Sequence, residues 1–304
     1  MDHILTTNSL SKSFHKQYAV KNISIHVKQG DIYGLIGRNG AGKTTLMRII
    51  SGLASPDQGT YSLFDREYPD TAAVRNRVSA LIEAPGIYAD MSAYENLKAK
   101  CIALGVRKKN VENELLETVG LADTGKKPAG KFSLGMKQRL GIALALVGDP
   151  DILILDEPIN GLDPQGIAEV RSTLKRLNSE RGMTFIISSH ILSELAKIAD
   201  NYAIIHKGQL LEELSTEQLF EKCTRKILLN TADESAACVV LEKDGITKYK
   251  VTKKNTVEIY ERFDDISAIT SSLAAAGVPI GGISVRNENL EDYFLNLTGG
   301  TENV

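Results

Sequence analysis

The chain of 304 residues has 36 Lys and Arg against 38 Asp and Glu, a formal net charge of −2, and 42% hydrophobic residues. This composition excludes a disordered or collagen-like chain and indicates one large domain, or one large and one small domain. The near-neutral charge argues against a dedicated nucleic-acid binder, because such proteins usually carry a basic excess. The three cysteines, at 101, 223 and 238, are too far apart to indicate a disulfide framework or a zinc site.

The sequence shows neither a secretion signal nor a membrane span. The first residues lack the basic and apolar segments of an export signal. The apolar runs 142–147 and 152–155 are far shorter than the roughly 18 to 20 residues that a membrane-spanning helix needs. We therefore expect a chain that resides in the reducing cytosol and does not cross a bilayer by itself.

The predicted elements change character along the chain. Residues 1–66 are rich in predicted strands, with one helix beginning near Gly42, whereas 85–147 are predicted to be mostly helical, with a capping box at Ser92 to Glu95. Beyond them, strand-like runs alternate with helical segments, which predicts a largely parallel, buried sheet. The strand-like runs are 152–155, 184–188 and 202–206, and the helical segments are 165–181 and 191–199.

The pattern changes again near residues 223–226, and we predict a separate small α+β unit over residues 225–304. Its expected strands are 227–229, 239–241, 249–251 and 257–260, and its expected helices are 267–276 and 290–297. The tail carries no recognisable catalytic residues. Two interpretations stay open: the unit regulates or stabilises a dimer, or it is a packing domain with no direct role.

A glycine-rich segment between a predicted strand, 32–36, and a predicted helix, 43–50, satisfies the pattern G-x-x-x-x-G-K-[ST]. At that position, backbone N–H groups and the helix N-terminus can surround phosphate oxygens. Lys43 would provide a cation for the β- and γ-phosphates, and Thr44 a hydroxyl for Mg²⁺. The alternative is a glycine-rich turn with a solvated lysine. The candidate phosphate-binding residues are Gly37, Arg38, Asn39, Gly40, Ala41, Gly42, Lys43, Thr44 and Thr45.

Two adjacent carboxylates, Asp156 and Glu157, follow the predicted strand 152–155. Ligands bind at the carboxyl ends of strands in a parallel sheet. Asp156 would hold Mg²⁺, and Glu157 would act as the general base that activates the attacking water. Exposed acids at a strand end are the commoner interpretation of such a pair alone, but the upstream phosphate loop favours the catalytic one.

Between these motifs, residues 132–136 read Phe-Ser-Leu-Gly-Met and open a predicted helix with Ser133 as its N-cap. The ordered set of motifs over residues 3–220 resembles the nucleotide-binding subunit of ABC transporters; it comprises Phe14, the phosphate loop, Glu83, Ser133 to Met136, Asp156, Glu157, Gly161 to Asp163 and His190. The resemblance implies a P-loop NTPase fold of the ABC type. This fold has a RecA-like α/β core, an antiparallel β part and a helical subdomain. It implies an ATP-binding domain of residues 1–224, with the helical subdomain at about 85–148, followed by a small C-terminal α+β domain of residues 225–304.

The resemblance also implies that two copies of the chain meet head to tail around two ATP molecules. Ser133 and the Gly135 N–H would bind the γ-phosphate of ATP held by the phosphate loop of the second copy. Asp163 would cross the seam between the copies. Phe14 would stack on the adenine ring, although the nearby Tyr18 is an alternative and either could belong to the core.

For His190, the resemblance implies contact with the γ-phosphate and a role in orienting the water and Glu157. For Glu83, it implies a site beside the metal, where most family members have a glutamine whose oxygen reaches Mg²⁺ or the attacking water. Glutamate keeps an oxygen acceptor but adds a negative charge. The alternatives are a solvated loop histidine and a tolerated loop carboxylate.

Two departures from the family pattern narrow the resemblance. The motif at 132–136 is usually Leu-Ser-Gly-Gly-Gln, so this chain keeps Ser133 and Gly135 but loses one glycine and the glutamine. Together with Glu83, this motif resembles the subgroup of bacterial transporters that expel bacitracin or lantibiotics for resistance or self-immunity.

The resemblance therefore implies an ATPase, with ATP and Mg²⁺, that energises peptide antibiotic export through a separate transmembrane permease. The segment 85–97, with Tyr88, Met91 and Tyr94, would receive a short permease helix, or its aromatic residues cover the helical subdomain's own core. The expected location is cytoplasmic, at the inner face of the membrane through the permease. The alternatives are another ABC-2 type drug or lipid-linked substrate exporter and a soluble ABC protein that acts on ribosomes or DNA. No nucleic-acid partner is expected.

Overall fold

A computed structural model describes residues 3–223, 226–253, 255–286 and 290–299. The chain divides into two compact units, Met1–Thr216 and Glu217–Val304. The boundary predicted between residues 224 and 225 falls outside the described residues. Over the described part of the chain, no helix combines the length and the apolar character that a membrane span requires.

The first unit contains eleven strands and six α-helices among its described residues. The strands are β1 (His3–Phe14), β2 (Gln17–Ile23), β3 (His26–Lys28), β4 (Ile32–Ile36), β5 (Gln58–Leu63), β6 (Arg66–Glu67), β7 (Val78–Leu81), β8 (Ile152–Leu155), β9 (Thr184–Ser189), β10 (Asn201–His206) and β11 (Gln209–Ser215). The helices are α1 (Lys43–Ile50), α2 (Ala93–Leu104), α3 (Val111–Thr118), α4 (Leu134–Leu146), α5 (Pro164–Arg181) and α6 (Leu192–Leu195), and α7 (Thr216–Cys223) begins at the last residue of the unit. Short 3₁₀ segments occur at Asp70–Arg77, Ala122–Thr124 and Ala129–Lys131.

Two sheets pack around one core in this unit. The antiparallel sheet has the order β2-β1-β5-β6, with β3 also paired to β1. The second sheet has the order β11-β10-β4-β9-β8-β7, and it is parallel except for β11 at its edge. One cluster of buried apolar side chains includes residues from both sheets and from α1. Every residue of β4, β8 and β9 is buried, as expected for central strands covered on both faces.

The order of the parallel strands places the candidate site. Because β4, β9 and β8 are neighbours and run parallel, their carboxyl ends meet at one edge of the sheet. The phosphate loop follows β4, the two carboxylates follow β8, and His190 follows β9. Residues that are more than 100 positions apart in the chain are therefore brought together.

The predicted helical segment forms α2, α3 and α4. The capping box at the start of α2 is present, since the Ser92 hydroxyl accepts from the Glu95 N–H at 3.2 Å and the Glu95 carboxylate accepts from the Ser92 N–H at 2.7 Å. The buried Asn96 amide donates to the carbonyl oxygens of Tyr88 and Met91 and so fixes the loop before the helix. The helix predicted at 191–199 is shorter, Leu192–Leu195, because the chain then turns to enter β10.

The second unit contains β12 (Lys226–Thr231), α8 (Glu234–Lys243), β13 (Tyr249–Lys253), β14 (Thr256–Ile259), α9 (Ile266–Ala275), β15 (Ile280–Arg286) and α10 (Leu290–Leu297). Its sheet has the order β13-β14-β12-β15, and all neighbouring strands are antiparallel. From β12 to β15, the succession β-α-β-β-α-β with this strand order is the ferredoxin-like arrangement. The helices α8 and α9 and the sheet enclose a separate hydrophobic core.

The strand predicted at 239–241 is wrong, because these residues lie in α8. Three apolar residues in a row favour a strand locally, but the Asp233 carboxylate accepts from the Ala236 N–H at 2.9 Å and caps a helix instead. The helix puts Val239 and Leu241 on different faces, so Leu241 is fully buried and Val239 is 53% exposed. Strand β15 is not among the predicted strands, because its two glycines weaken the strand pattern.

We expect Leu241→Ala to lower the free energy of unfolding of the C-terminal unit by about 2 to 5 kcal/mol, because it leaves a cavity in that core. Val239→Ala removes an exposed side chain and should change this free energy by less than about 0.5 kcal/mol. Urea unfolding of the full chain, with hydrogen exchange of β12 as the local measure, tests both variants. Equal effects would contradict the helical placement of this segment.

Candidate active site

The loop from Gly37 to Gly42 joins β4 to α1 and can be built only with glycine at key points. Gly40 and Gly42 have φ angles of +79° and +107°, in the left-handed region. A Cβ on Gly42 would lie 2.2 Å from the carbonyl oxygen of Ala19, and one on Gly37 would lie 2.5 Å from that of Ile205. The loop ends at the N-terminus of α1, where free backbone N–H groups and the helix dipole favour a bound anion.

The turn between β10 and β11 supports this loop from behind. The Gly208 N–H donates to the carbonyl oxygen of Ala41 at 2.9 Å. At the end of β10, burial lowers the pKa of His206, and the nearby charges of Lys207 and Arg38 lower it further. Its imidazole is therefore neutral at pH 7, and the positive charge at the loop comes from lysine and arginine side chains.

Lys43, the first residue of α1, is buried with its charge inside the site. Its Nζ atom donates to the carbonyl oxygen of Gly37 at 2.5 Å and lies 3.1 Å from Oε1 of Glu157. The ammonium group therefore stands between the phosphate loop and a carboxylate from the neighbouring part of the sheet edge.

The buried carboxylate of Asp156 joins three elements at the sheet edge. The Thr44 hydroxyl of α1 donates to its Oδ2 at 2.8 Å, and the Ser188 hydroxyl of β9 donates to its Oδ1 at 2.6 Å. The Ser188 hydroxyl also accepts from the Glu157 N–H at 2.8 Å. Ser188 is not among the predicted site residues, although its place at the end of a predicted strand, two residues before His190, is a usable signal.

Glu157 follows directly and has a φ of +48°, which is uncommon for a residue other than glycine. Its Oε2 lies 2.8 Å from Nδ1 of His190. Its Oε1 is buried beside Lys43, without a hydrogen-bond partner among the described residues. The carboxylate is thus held between an ammonium group and an imidazole.

Lys43, Thr44, Asp156 and Glu157 border a cavity of about 530 Å³, a size within the usual range for small-ligand sites, whereas Gly37, Arg38 and His190 are not part of its lining. The cavity is lined by Ala19, Asn39, Gly40, Ala41, Gly42, Lys43, Thr44, Thr45, Glu83, Ala84, Pro85, Leu134, Gln138, Asp156, Glu157 and Asn160. Among the polar side chains of this lining, Gln138 and Asn160 were not expected. A single Gln or Asn in a sequence forms no motif that distinguishes it from the other amide residues.

The oxygen atoms present suit Mg²⁺. Thr44 Oγ1 and Asp156 Oδ2 lie side by side, and hydroxyl and carboxylate oxygens are the ligands that Mg²⁺ prefers. Across the described ranges, no group of three or more His, Cys, Asp or Glu residues forms a cage that would hold a metal ion on its own. A site with few protein ligands fits Mg²⁺, which keeps several waters and binds together with substrate phosphates.

Glu83 lines the same cavity, but its carboxylate points to a partner on α1. Its Oε1 accepts from Nη2 of Arg48 at 2.5 Å, and its φ is +65°. Both side chains are largely solvent-exposed, with 45% of the Arg48 side chain and 65% of the Glu83 side chain accessible. The sequence analysis did not anticipate Arg48.

The structure leaves the other predicted residues outside this lining. Phe14 and Tyr18 are both about half exposed. Ser133 and Asp163 are helix N-caps, accepting from Met136 N–H at 3.3 Å and Gly166 N–H at 2.9 Å. Gly135, in the first turn of α4, is likewise not part of the lining. In a single chain, these residues do not meet the phosphate loop.

Comparisons with known proteins agree with the fold and the site described above. A family profile described as "ABC transporter" matches residues 20–160. Over 302 residues, 99% of each chain, the sequence is 41% identical to the bacitracin transport ATP-binding protein BcrA of Bacillus licheniformis. It is 43% identical to the lantibiotic transport ATP-binding protein SrtF of Streptococcus pyogenes over 231 residues, 72% of this chain and 99% of that protein.

Among solved structures, cbiO1 from Clostridium perfringens, described as part of the ABC transporter complex cbiONQ, matches with a TM-score of 0.65 at 25% identity. The match covers 80% of this chain and 96% of that one. The fold class predicted from the sequence is confirmed.

Gly42→Ala is expected to disrupt the phosphate loop, because the new Cβ would overlap the carbonyl oxygen of Ala19. Gly40→Ala is the matched control, since it shares the left-handed backbone but its Cβ would meet nothing within 4 Å. We expect the affinity of Gly42→Ala for ATP, measured with a fluorescent analogue, to fall about tenfold or more below that of Gly40→Ala. Equal affinities in two folded variants would contradict the packing described for this loop.

Proposed function

The chain belongs to the ATP-binding proteins of ABC transporters, as predicted from its motifs, and we propose that it hydrolyses ATP to energise export of a peptide antibiotic through a separate transmembrane permease. The observation that supports hydrolysis most directly is the convergence of Lys43, Thr44, Asp156, Glu157 and His190 at one edge of the parallel sheet.

In this proposal, the triphosphate of ATP occupies the loop between β4 and α1. The loop N–H groups and the N-terminus of α1 bind phosphate oxygens, and Lys43 reaches the β- and γ-phosphates. Thr44 and Asp156 would hold Mg²⁺, which would supply positive charge to offset the negative charge of the phosphate oxygens in the transition state. The Ser188 hydroxyl keeps the Asp156 carboxylate in the orientation that this role requires.

Glu157 accepts the proton of the attacking water, and His190 orients the water and the Glu157 carboxylate. In the structure, Lys43 and His190 hold the two oxygens of the Glu157 carboxylate. When phosphate oxygens take over Lys43, Oε1 of Glu157 becomes free to accept a hydrogen bond from water. Nucleotide binding thus frees the Glu157 carboxylate to act as the general base.

A second copy of the chain completes each site in this proposal. Ser133, Gly135 and Asp163 do not line the cavity of their own chain, and Ser133 stands at a helix N-terminus, where an anion is favoured. A head-to-tail dimer would bring these residues to the γ-phosphate of the partner's ATP. The adenine ring would stack on Phe14, with Tyr18 as the alternative, since both offer an exposed ring.

We propose a groove of about 610 Å³ beside the ATP cavity as the docking place of a permease helix. The groove is lined by Ser79, Ala80, Leu81, Pro85, Gly86, Ile87, Tyr88, Asn96, Ala99, Lys100, Ala103, Gly141, Leu144 and Ala145. Met91 and Tyr94 are exposed nearby but do not line it. Docking at this groove would hold the chain at the inner face of the membrane.

Pro85 connects the groove to the nucleotide, because it lines both cavities. A Cβ on Gly141 of α4 would lie 2.6 Å from Cβ of Pro85, so the two backbones approach closely at this point. A change at the phosphates that moves residues 83–85 therefore reshapes the groove. This close contact is the proposed route of coupling between ATP and the permease.

Two observations support a peptide antibiotic as the exported compound. The similarity to BcrA extends over nearly the whole chain and so includes the C-terminal unit. The sequence also has glutamate at position 83 and Phe-Ser-Leu-Gly-Met at 132–136, the pair of departures that resembles the bacitracin and lantibiotic subgroup. The second candidate is an exporter of another drug or of a lipid-linked substrate.

We expect Glu157→Gln to lower ATP turnover by about 100-fold or more while ATP binding is kept, because the amide cannot accept the proton from water. The variant should accumulate as an ATP-bound dimer, measured by size-exclusion chromatography with light scattering. Glu180→Gln, a change of the same kind on the surface of α5, is the control and should behave as the unaltered chain. A Glu157→Gln protein that binds ATP and stays monomeric would contradict the head-to-tail dimer.

Expression of the chain with its permease in a sensitive bacterium should raise the minimum inhibitory concentration of bacitracin or a lantibiotic. Lys43→Ala should abolish the gain, because the ATP phosphates lose their lysine. Tolerance of an unrelated drug alone would favour the second candidate. Recovery of ribosomes or DNA, and no membrane protein, with the purified chain would contradict a transport role.

A further inference from the structure

The ion pair between Glu83 and Arg48 involves the helix that also carries Thr44, one of the proposed metal ligands. Arg48 and Thr44 are four residues apart on α1, so they share one face of the helix, about 6 Å apart along its axis. Nη2 of Arg48 holds the Glu83 carboxylate at 2.5 Å. The carboxylate is thus paired with a residue one helical turn beyond Thr44, whose hydroxyl donates to Asp156.

The backbone on both sides of Glu83 has packing and hydrogen-bond contacts in this structure, so release from Arg48 requires only a change in the Glu83 side chain. Two residues before it, the carbonyl oxygen of Leu81 accepts from the Asp156 N–H at 2.9 Å. Two residues after it, Pro85 packs against Gly141. Among the residues that the structure describes, Arg48 is the one side chain found in an ion pair with Glu83.

The charge of Glu83 gives a cationic partner a role here that a neutral residue would not give it. A neutral glutamine at this position would need no cation, but glutamate brings a third carboxylate to a cavity that Asp156 and Glu157 already border. Lys43 is engaged with Glu157 and the phosphate loop. Arg48 is therefore the cation that can offset the charge of Glu83 before Mg²⁺ arrives.

We propose that Arg48 is a positioning residue for Glu83: it holds the carboxylate away from Thr44 and Asp156 until MgATP binds, and Glu83 then leaves Arg48 to reach the metal or the attacking water. This inference rests on the proposed function, because it takes Thr44 and Asp156 as the metal site. Arg48 and Mg²⁺ compete for the same carboxylate.

The expected effect of the Glu83–Arg48 ion pair on Mg²⁺ affinity follows from the solvent exposure of the two side chains. An exposed ion pair stabilises its bound arrangement by about 0.2 to 1 kcal/mol, so releasing Glu83 from Arg48 lowers the apparent affinity of the site for Mg²⁺ by up to about fivefold. The pair is weak enough for MgATP to break it and strong enough to be measured.

The experiment compares Arg48→Gln in the unaltered chain and in Glu83→Gln, as full-length proteins with a fluorescent, non-hydrolysable ATP analogue. We expect Arg48→Gln to reduce the Mg²⁺ concentration for half-maximal binding of the analogue by up to about fivefold. In the Glu83→Gln background, the same change should have no effect beyond experimental error. A matched control is Arg262→Gln, which breaks another exposed arginine–carboxylate pair, with Asp265 at 2.8 Å, in the C-terminal unit.

A second measurement uses no ligand. Hydrogen exchange of residues 82–88 in the nucleotide-free protein should be faster in Arg48→Gln than in the unaltered chain, and unchanged in Arg262→Gln. An equal shift of the Mg²⁺ requirement in both backgrounds, or no shift in either, would overturn the role of Arg48 while the unaltered chain still binds MgATP. If the unaltered chain shows no Mg²⁺-dependent binding, the proposed function fails and the inference fails with it.

Discussion

The two hydrogen bonds that the Asp156 carboxylate accepts are the interaction on which the whole site depends. One comes from Thr44 at the start of α1 and the other from Ser188 near the end of β9. They tie the phosphate-loop helix to two parallel strands, and through the Ser188 hydroxyl they also fix the backbone of Glu157. A buried carboxylate is tolerated here because both of its oxygens have donors. The general base, the metal ligands and the phosphate loop are therefore positioned by one small network.

The sequence predicts the parts of this site that have a fixed spacing along the chain. The phosphate loop follows a pattern of glycines and one lysine, and the two carboxylates end an unbroken apolar strand, so both can be located without coordinates. Ser188, Gln138 and Asn160 could not be predicted with the same certainty, because only the folded chain places them beside the carboxylates and the phosphate loop. Arg48 lies on a helix that the sequence analysis places correctly, but nothing in the sequence indicates that Glu83 folds back onto it.

Like the site, the fold is predicted correctly where local sequence patterns determine it, and wrongly where contacts between distant residues decide it. The alternation of apolar strands and helices after residue 150 predicts the parallel sheet, because buried parallel strands are apolar on both faces. The error at 239–241 arises where local preference and context disagree. Consecutive apolar residues resemble a short strand, yet the cap from Asp233 and the burial of Leu241 against the ferredoxin-like sheet make the segment helical.

The position of Pro85 has a consequence for how far a signal must travel. Allosteric communication is usually discussed as a chain of coupled side chains across tens of ångströms. Here one pyrrolidine ring is a wall of the ATP cavity and of the neighbouring groove at once. In the proposed transporter, a change at the ATP phosphates can thus alter the groove through a single side chain. Substitutions elsewhere in the subunit can then accumulate without interrupting the coupling between the ATP cavity and the groove.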